Sequence, residues 1–345
     1  MSIFRTILSA SALCASATLP ASAQNAVADF YKGKTITLQV GSEPAGGYDV
    51  VARVVAKHLV NHIPGAPQIM VQFIPGGGSL RLANQMYAGG SLRDGTVIGL
   101  ASNGMPTTPL LSPEAGHFDP TKFYFLGTPS HEVEVLAVWH EAPVKTIDDV
   151  FTKEMIVGAS APGSATYDFP LVTNALLGTK FKIVVGYRGA TEVKLAMQRG
   201  EVHANAALAW GSAKSQYADL MRDGKLKIVA QYGYKQAHDL PAPLMKLGAT
   251  EADRQILDIL YARGEYGRPF FLPPDVPADR AKALRKAFRE TMEDPAFLDE
   301  AKKVTLEVDP LTGEELETLT KRLLSIPADV VARTRALLDP GKAGK

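Results

Sequence analysis

Cysteine is nearly absent: the one example in 345 residues is Cys14, inside an apolar N-terminal stretch. Past that stretch the chain can form no disulfide, no thiolate metal site and no cysteine nucleophile. A chain of this length buries a large core without cross-links, so their lack is no obstacle to folding. Excess charge is missing too. Lys and Arg number 37 against 36 Asp and Glu, with the signs interspersed, so neither a nucleic-acid surface nor a polybasic membrane patch is expected. No apolar run after the N-terminus is long enough to span a bilayer. No tandem repeat or low-complexity tract is visible, and the length suits about two domains.

Catalytic signatures are missing as well. No Gly-x-Ser-x-Gly nucleophile elbow occurs: Gly158-Ala-Ser160 runs on into Ala-Pro, and Gly211-Ser212 into Ala. Gly76–Gly78 lacks the lysine of a phosphate loop. No histidine is placed to serve Ser79, Ser164 or Thr166 as a base, so binding or capping is the expected work of those hydroxyls. His58 and His62 stand four apart, a spacing that suits a metal, but Leu59 occupies the place of the zinc-protease glutamate. Ordinary helix-face histidines are expected, with no metal and no cofactor.

What is present begins with an export signal. Arg5 precedes the apolar run Ile7 to Leu19, and Pro20-Ala-Ser-Ala23 ends in an Ala-x-Ala pattern, so cleavage after Ala23 is expected. Leu13 rather than Gly or Ala precedes Cys14, which argues against lipid attachment.

Strand-like and helix-like segments then alternate, favouring α/β layers with mostly parallel sheets. Thr35-Ile-Thr-Leu-Gln-Val40 alternates like a strand with one apolar face, and Val50, Val51, Val54, Val55 and Leu59 follow at helical spacing. Between them lies Gly41-Ser-Glu-Pro-Ala-Gly-Gly-Tyr-Asp49, with Asp49 at the expected N-cap. Glycines let the backbone approach a ligand, and a helix start offers unpaired N–H groups and a positive dipole end. The same strand, Gly/Ser loop and helix order recurs at Pro75–Ser79, Ser160–Thr166 and Gly186–Ala190. Ligands of α/β sheets lie beyond the carboxyl ends of strands, where all four loops fall. An α/β protein that binds nothing carries such loops too.

Arg188 beside Gly189 can clamp a carboxylate bidentately or stand idle on the surface. His131-Glu132-Val-Glu134 puts two acids on one strand face, as an ordinary edge strand also does. Trp139 and Trp210 read most simply as core aromatics. From Arg268-Pro-Phe-Phe-Leu-Pro-Pro-Asp-Val-Pro277 onward the pattern becomes helical, over about 278–292, 295–303, 313–324 and 328–338, with a capping box at Thr312 and Glu315.

Taken in order, these stretches resemble the substrate-binding proteins of tripartite tricarboxylate transporters, the Bug family, over nearly the whole chain after the leader. The resemblance rests on Val40 to Arg53 (VGSEPAGGYDVVAR), Phe73-Ile-Pro-Gly-Gly-Gly78, Arg93-Asp-Gly95 and, more loosely, Gly158 to Thr166. It rests also on Gly186-Tyr-Arg-Gly-Ala190 running to Arg199-Gly-Glu-Val202, on Leu272-Pro-Pro-Asp-Val-Pro277 and on Glu293-Asp-Pro295. Their order and spacing, rather than any one motif, carry the likeness.

The resemblance implies a two-domain type II periplasmic-binding-protein clamshell. One domain would comprise 24–130 and 266–345 and the other 131–265, after a signal peptide over 1–23. It implies a periplasmic protein that grips a small organic acid and delivers it to transporter subunits in the membrane, without catalysis, as a monomer. By position it nominates Gly46, Gly47, Tyr48, Asp49, Gly77, Gly78 and Ser79 on one jaw. On the other it nominates Gly163, Ser164, Thr166, Tyr187, Arg188, Gly189 and Ala190. Glu43 and Tyr48 depart from the family pattern, which puts a small dicarboxylate ligand in question. An exported α/β hydrolase or transferase, and a ligand sensor for a receptor kinase, are the alternative readings.

Overall fold

A computed structural model describes residues 21–45, 47–160, 163–187, 189–233, 240–241, 243–244 and 250–338. The chain enters through α1 (Ala21–Tyr31), across the expected cleavage point; the rest of the expected leader lies outside the described residues. Next come β1 (Thr35–Val40), α2 (Gly47–Leu59), β2 (Gln68–Phe73), α3 (Leu80–Ala88), β3 (Val97–Leu100), α4 (Thr108–Leu111) and β4 (Tyr124–Thr128). Ile36, Leu38 and Val40 of β1 are fully buried, as their alternation requires, and pack with Val51, Val54, Val55 and Leu59 of α2. Val50, at the edge of that predicted stripe, is exposed instead.

The chain then builds a second sheet through β5 (Glu134–Trp139), α5 (Asp149–Thr152), β6 (Met155–Ala159), α6 (Ala165–Leu177) and β7 (Phe181–Val185). It completes that sheet with α7 (Ala190–Gln198), β8 (Ala204–Ala209), α8 (Trp210–Gln216), α9 (Ala218–Arg222) and β9 (Leu226–Tyr232). A long helix, α10 (Glu251–Tyr266), returns the chain to the first sheet. There β10 (Phe270–Leu272), α11 (Ala278–Glu293), α12 (Pro295–Lys303), β11 (Leu311–Thr312) and α13 (Gly313–Leu324) follow. Finally α14 (Ala328–Leu338) packs on α6 and α10.

The sheet orders are β11-β4-β10-β3-β1-β2 and β7-β6-β8-β5-β9. Parallel pairing is confined to β2-β1-β3 and to β7-β6-β8. The strands that arrive from the other sheet, β10 and β5, pair antiparallel with both neighbours. Each enters at the edge where the parallel strands end and must run away from it, so the sheets are more mixed than the alternation of elements predicts. The sequence reading also misses α10. Its Ile256, Leu257 and Leu260 enter the core of the second sheet, while Ile259, Ala262 and Tyr266 enter a core of the first. A helix buried on two sides shows no single apolar stripe.

His58 and His62 prove to be interface groups of α2. The His58 Nε2 and Lys57 Nζ atoms lie 2.8 and 2.6 Å from Glu300 Oε2, and His62 Nε2 lies 3.0 Å from Asp294 Oδ2. Hydrogen bonds from Lys57 and His58 hold the Glu300 carboxyl below its usual range. A depressed folded-state value means stability that is present above the ordinary carboxylate range and lost as pH falls. Glu300→Gln is therefore expected to lower the urea midpoint at about pH 7, and the gap to the parent should narrow steadily as pH falls below the ordinary carboxylate range. A gap that persists in acid would refute the ion-pair account.

Candidate binding site

Strands β1, β2 and β3 all end at one edge, and the loops that follow are tied into a single unit. Gly41 is where the tie is closest: a Cβ there would lie 2.4 Å from the Ser79 hydroxyl oxygen. That hydroxyl is buried, donates to the Gly41 carbonyl at 3.0 Å and accepts from the Ser102 amide at 2.8 Å. Gly76, Gly77 and Gly78 all have positive φ (138°, 55° and 62°), and Ser79 continues the turn at 75°, a bend only glycines adopt cheaply. The Ser102 hydroxyl donates to the Gly78 carbonyl at 2.5 Å, and the Asn103 amide donates to the Tyr48 phenol at 3.2 Å. Ser79 is thus a positioning residue whose hydroxyl is already engaged.

Asp49 is the third residue of α2, not its cap, because the helix starts at Gly47. Its carboxylate folds back to accept from the Ala45 amide at 2.8 Å and from Arg53 Nε at 2.5 Å. It shapes the loop and leaves the first-turn amides of α2 to face outward. Burial, with Glu132 adding to it, pushes the Tyr48 phenol up to about 12, so it stays neutral and keeps its proton to donate. Glu43 is exposed.

On the second sheet, Ser164 stands before α6 in extended backbone, its hydroxyl 3.0 Å from that of Thr166. The Thr166 oxygen accepts from the Ser160 amide at 3.2 Å. The Gly163 amide donates to Asp168 Oδ1 at 3.0 Å. Gly189 caps α7 in extended backbone, and the Ala190 carbonyl accepts from the Tyr217 hydroxyl at 2.7 Å. Tyr187 is half-buried, and burial first and Glu201 second push its phenol up. Its ring packs against the core cluster that holds Val193 and Met197. Gly46 and Arg188 lie outside the described residues.

What brings the two sets of loops together was not read from the sequence. Arg263, near the end of α10, donates from Nη1 to the Gly163 carbonyl at 3.1 Å and to Asp168 Oδ2 at 3.0 Å. Its Nε lies 3.7 Å from where a Cβ on Gly104 would stand. The arginine thus spans from the α6 loop to Ser102–Gly104, which in turn holds Gly78, Ser79 and Tyr48. Arg268 is its counterpart on the first sheet. The guanidinium sits 5.7 Å from the Tyr48 ring centroid and pairs with Glu132 Oε1 at 3.1 Å, and Nη2 lies 3.9 Å from the place of a Gly47 Cβ. A third link, Lys214 Nζ to Glu307 Oε1 at 2.7 Å, joins α8 to the segment before β11, with half-buried Trp210 beneath the lysine.

Glu132 and Glu134 also correct the edge-strand reading, because β5 lies inside its sheet, between β8 and β9. Glu132 is engaged with Arg268. Glu134 is pushed well above its ordinary value by burial first and by Glu132 second. No histidine adjoins Ser79, Ser164 or Thr166 among the described contacts, and no group of three or more potential metal ligands occurs among the described residues.

No protein-family model and no curated protein matches the chain by sequence. Solved structures do match. A TctC solute-binding protein from Polaromonas superimposes with a TM-score of 0.68 at 19% identity, covering 90% of this chain and 99% of that one. The periplasmic binding protein BugD gives 0.60 at 17% identity, over 88% and 98%. An R. palustris protein with adipate gives 0.59 at 18% identity, over 88% and 97%. The fold is that of a type II periplasmic binding protein.

Proposed function

We propose that this chain is a periplasmic solute-binding protein that closes on a small carboxylate-bearing anion and delivers it to a tripartite tricarboxylate-type membrane transporter. The observation that carries the reading is the opposition of two helix starts, α2 and α6, across a pair of arginines. Each start offers unpaired amides and a positive dipole end, worth about 0.3–1 kcal/mol towards an anion at the surface and more when partly buried. Gly47, Tyr48, Gly77 and Gly78 would meet the ligand from one jaw, and Gly163, Ser164, Thr166, Gly189 and Ala190 from the other. Gly46 and Arg188 belong to the same loops by position. Asp49 and Ser79 act by holding the first loop in shape.

The jaws are 24–130 with 266–345, and 131–265, hinged where β4 passes to β5 and α10 returns. Ligand contacts with both jaws favour the closed state, and no covalent step is needed. The adipate in one structural neighbour supports a carboxylate as the recognised group. An export signal cleaved after Ala23 would bring the protein to the periplasm, where it would act as a monomer. The test is a thermal-shift screen of carboxylic and amino acids: a ligand at 100 times its Kd should add about 2.7 kcal/mol of stability. Turnover of an ester or peptide, with no acid shifting the melt, would instead favour the hydrolase reading.

A further inference from the structure

Where β5 enters the second sheet, two residues past the Glu132–Arg268 pair, lie polar groups that the anion seat does not use. The two nearby arginines are matched in charge, Arg268 by Glu132 at 3.1 Å and Arg263 by Asp168 at 3.0 Å, while the Nε of each is buried without a hydrogen-bond partner. Glu134 is left as a further carboxylate with no cation beside it among the described residues. It opens β5 directly opposite Tyr232 of β9, so the two side chains rise on the same face of the sheet. The Tyr232 ring is 1% exposed, and its hydroxyl and Glu134 Oε2 are both buried without a hydrogen-bond partner. Each lies near enough to feel the other's charge, yet they do not bond. Tyr261, stacked 6.0 Å from Tyr232 on the α10 side, has a second buried phenol without a partner. Buried acceptors left unpaired are costly, and a ligand that supplies N–H donors would relieve them.

We propose that the ligand carries, besides its carboxylate, a protonated amine that docks between Glu134 and Tyr232, which makes the protein selective for amino acids over plain diacids. This deepens the solute-binding reading above and rests on it. A second carboxylate placed there would bring no N–H donor for the Glu134 and Tyr232 oxygens. An ammonium would neutralise Glu134 and donate to both orphan oxygens. The titratable groups that reach Glu134 are Glu132 on its own strand entry and Tyr232, directly opposite on β9. Burial keeps the empty-cleft Glu134 inclined to hold a proton, so amine binding should release one.

Calorimetric titration of the full chain with three matched pairs decides the matter: succinate and aspartate, glutarate and glutamate, adipate and 2-aminoadipate. In the best-binding pair the amino member is expected to bind at least about tenfold tighter, releasing protons near neutral pH. Glu134→Gln should collapse that ratio, since the amino acid loses its charged partner, and should abolish the proton release. Tyr232→Phe, which keeps the ring, should lower the ratio several-fold and serves if the first variant does not fold. Diacids that bind as tightly as their amino partners, or a ratio that survives both substitutions, would overturn the inference and leave the solute-binding reading intact. If none of the six acids binds, that reading falls and this one with it.

Discussion

Arg263→Ala is expected to destabilise the protein by about 3–5 kcal/mol near neutral pH, because it strands Asp168 as a buried charge. The aspartate is 1% exposed and its guanidinium partner 15%. Burial already raises the Asp168 carboxyl, outweighing the pull of Arg263 and of the Gly163 amide. Without Arg263 it should rise further. An acid with a raised folded-state value contributes stability that is present at low pH and lost as pH climbs through that value. The deficit, read from urea midpoints, should therefore be smaller at about pH 5 than at about pH 8. Adding Asp168→Asn should restore much of the loss, since the neutral amide still accepts from Gly163. A loss below about 1 kcal/mol, or no rescue, would show that the pair is solvated and does not hold the α6 loop.

Gly47→Val is expected to remove ligand binding, by at least about a hundredfold in Kd, while the melt of the unliganded protein changes little. Gly47 opens α2, is exposed, and does not have the left-handed backbone of the Gly76–Gly78 turn. Valine is a better helix former than glycine, so the fold should tolerate it to within about 1 kcal/mol. Its methyls, though, would project at the α2 amides and crowd Arg268, whose Nη2 lies 3.9 Å from the new Cβ. Equilibrium dialysis or calorimetry with whichever acid shifts the parent's melt would measure the loss. Affinity within threefold of the parent would take the first loop out of the site.

The two substitutions probe features of unequal visibility. The loop at Gly47 is legible because its cause is local. A strand of period two, a glycine run and a helix of period 3.6 follow in one stretch, and β1 and α2 form where those patterns place them. The capping box at Thr312 and Glu315 was equally visible for the same reason. Arg263 was not. It lies on a helix buried on two faces, and its partners Gly163 and Asp168 stand about a hundred residues earlier in the chain. Glu132 and Glu134 gave a signal, two acids at strand spacing, but nothing local says that β5 is an inner strand. The three-residue β10 and two-residue β11 are too short to show any period.

The sequence by itself determined the α/β class, the order of most elements, the glycine-bearing loops and the near absence of thiol chemistry. Those properties follow from residue type and short-range spacing. Only the tertiary structure decided which polar groups are consumed and which are left over. It spends Asp49 and Ser79 on the shape of a loop, pairs His58 and His62 with acids of α12 and its cap, and leaves Glu134 Oε2 and the Tyr232 hydroxyl without a hydrogen-bond partner. For His58, His62 and Arg263 the pairing depends on segments roughly a hundred residues or more apart meeting within hydrogen-bond reach, a distance that local periodicity does not encode.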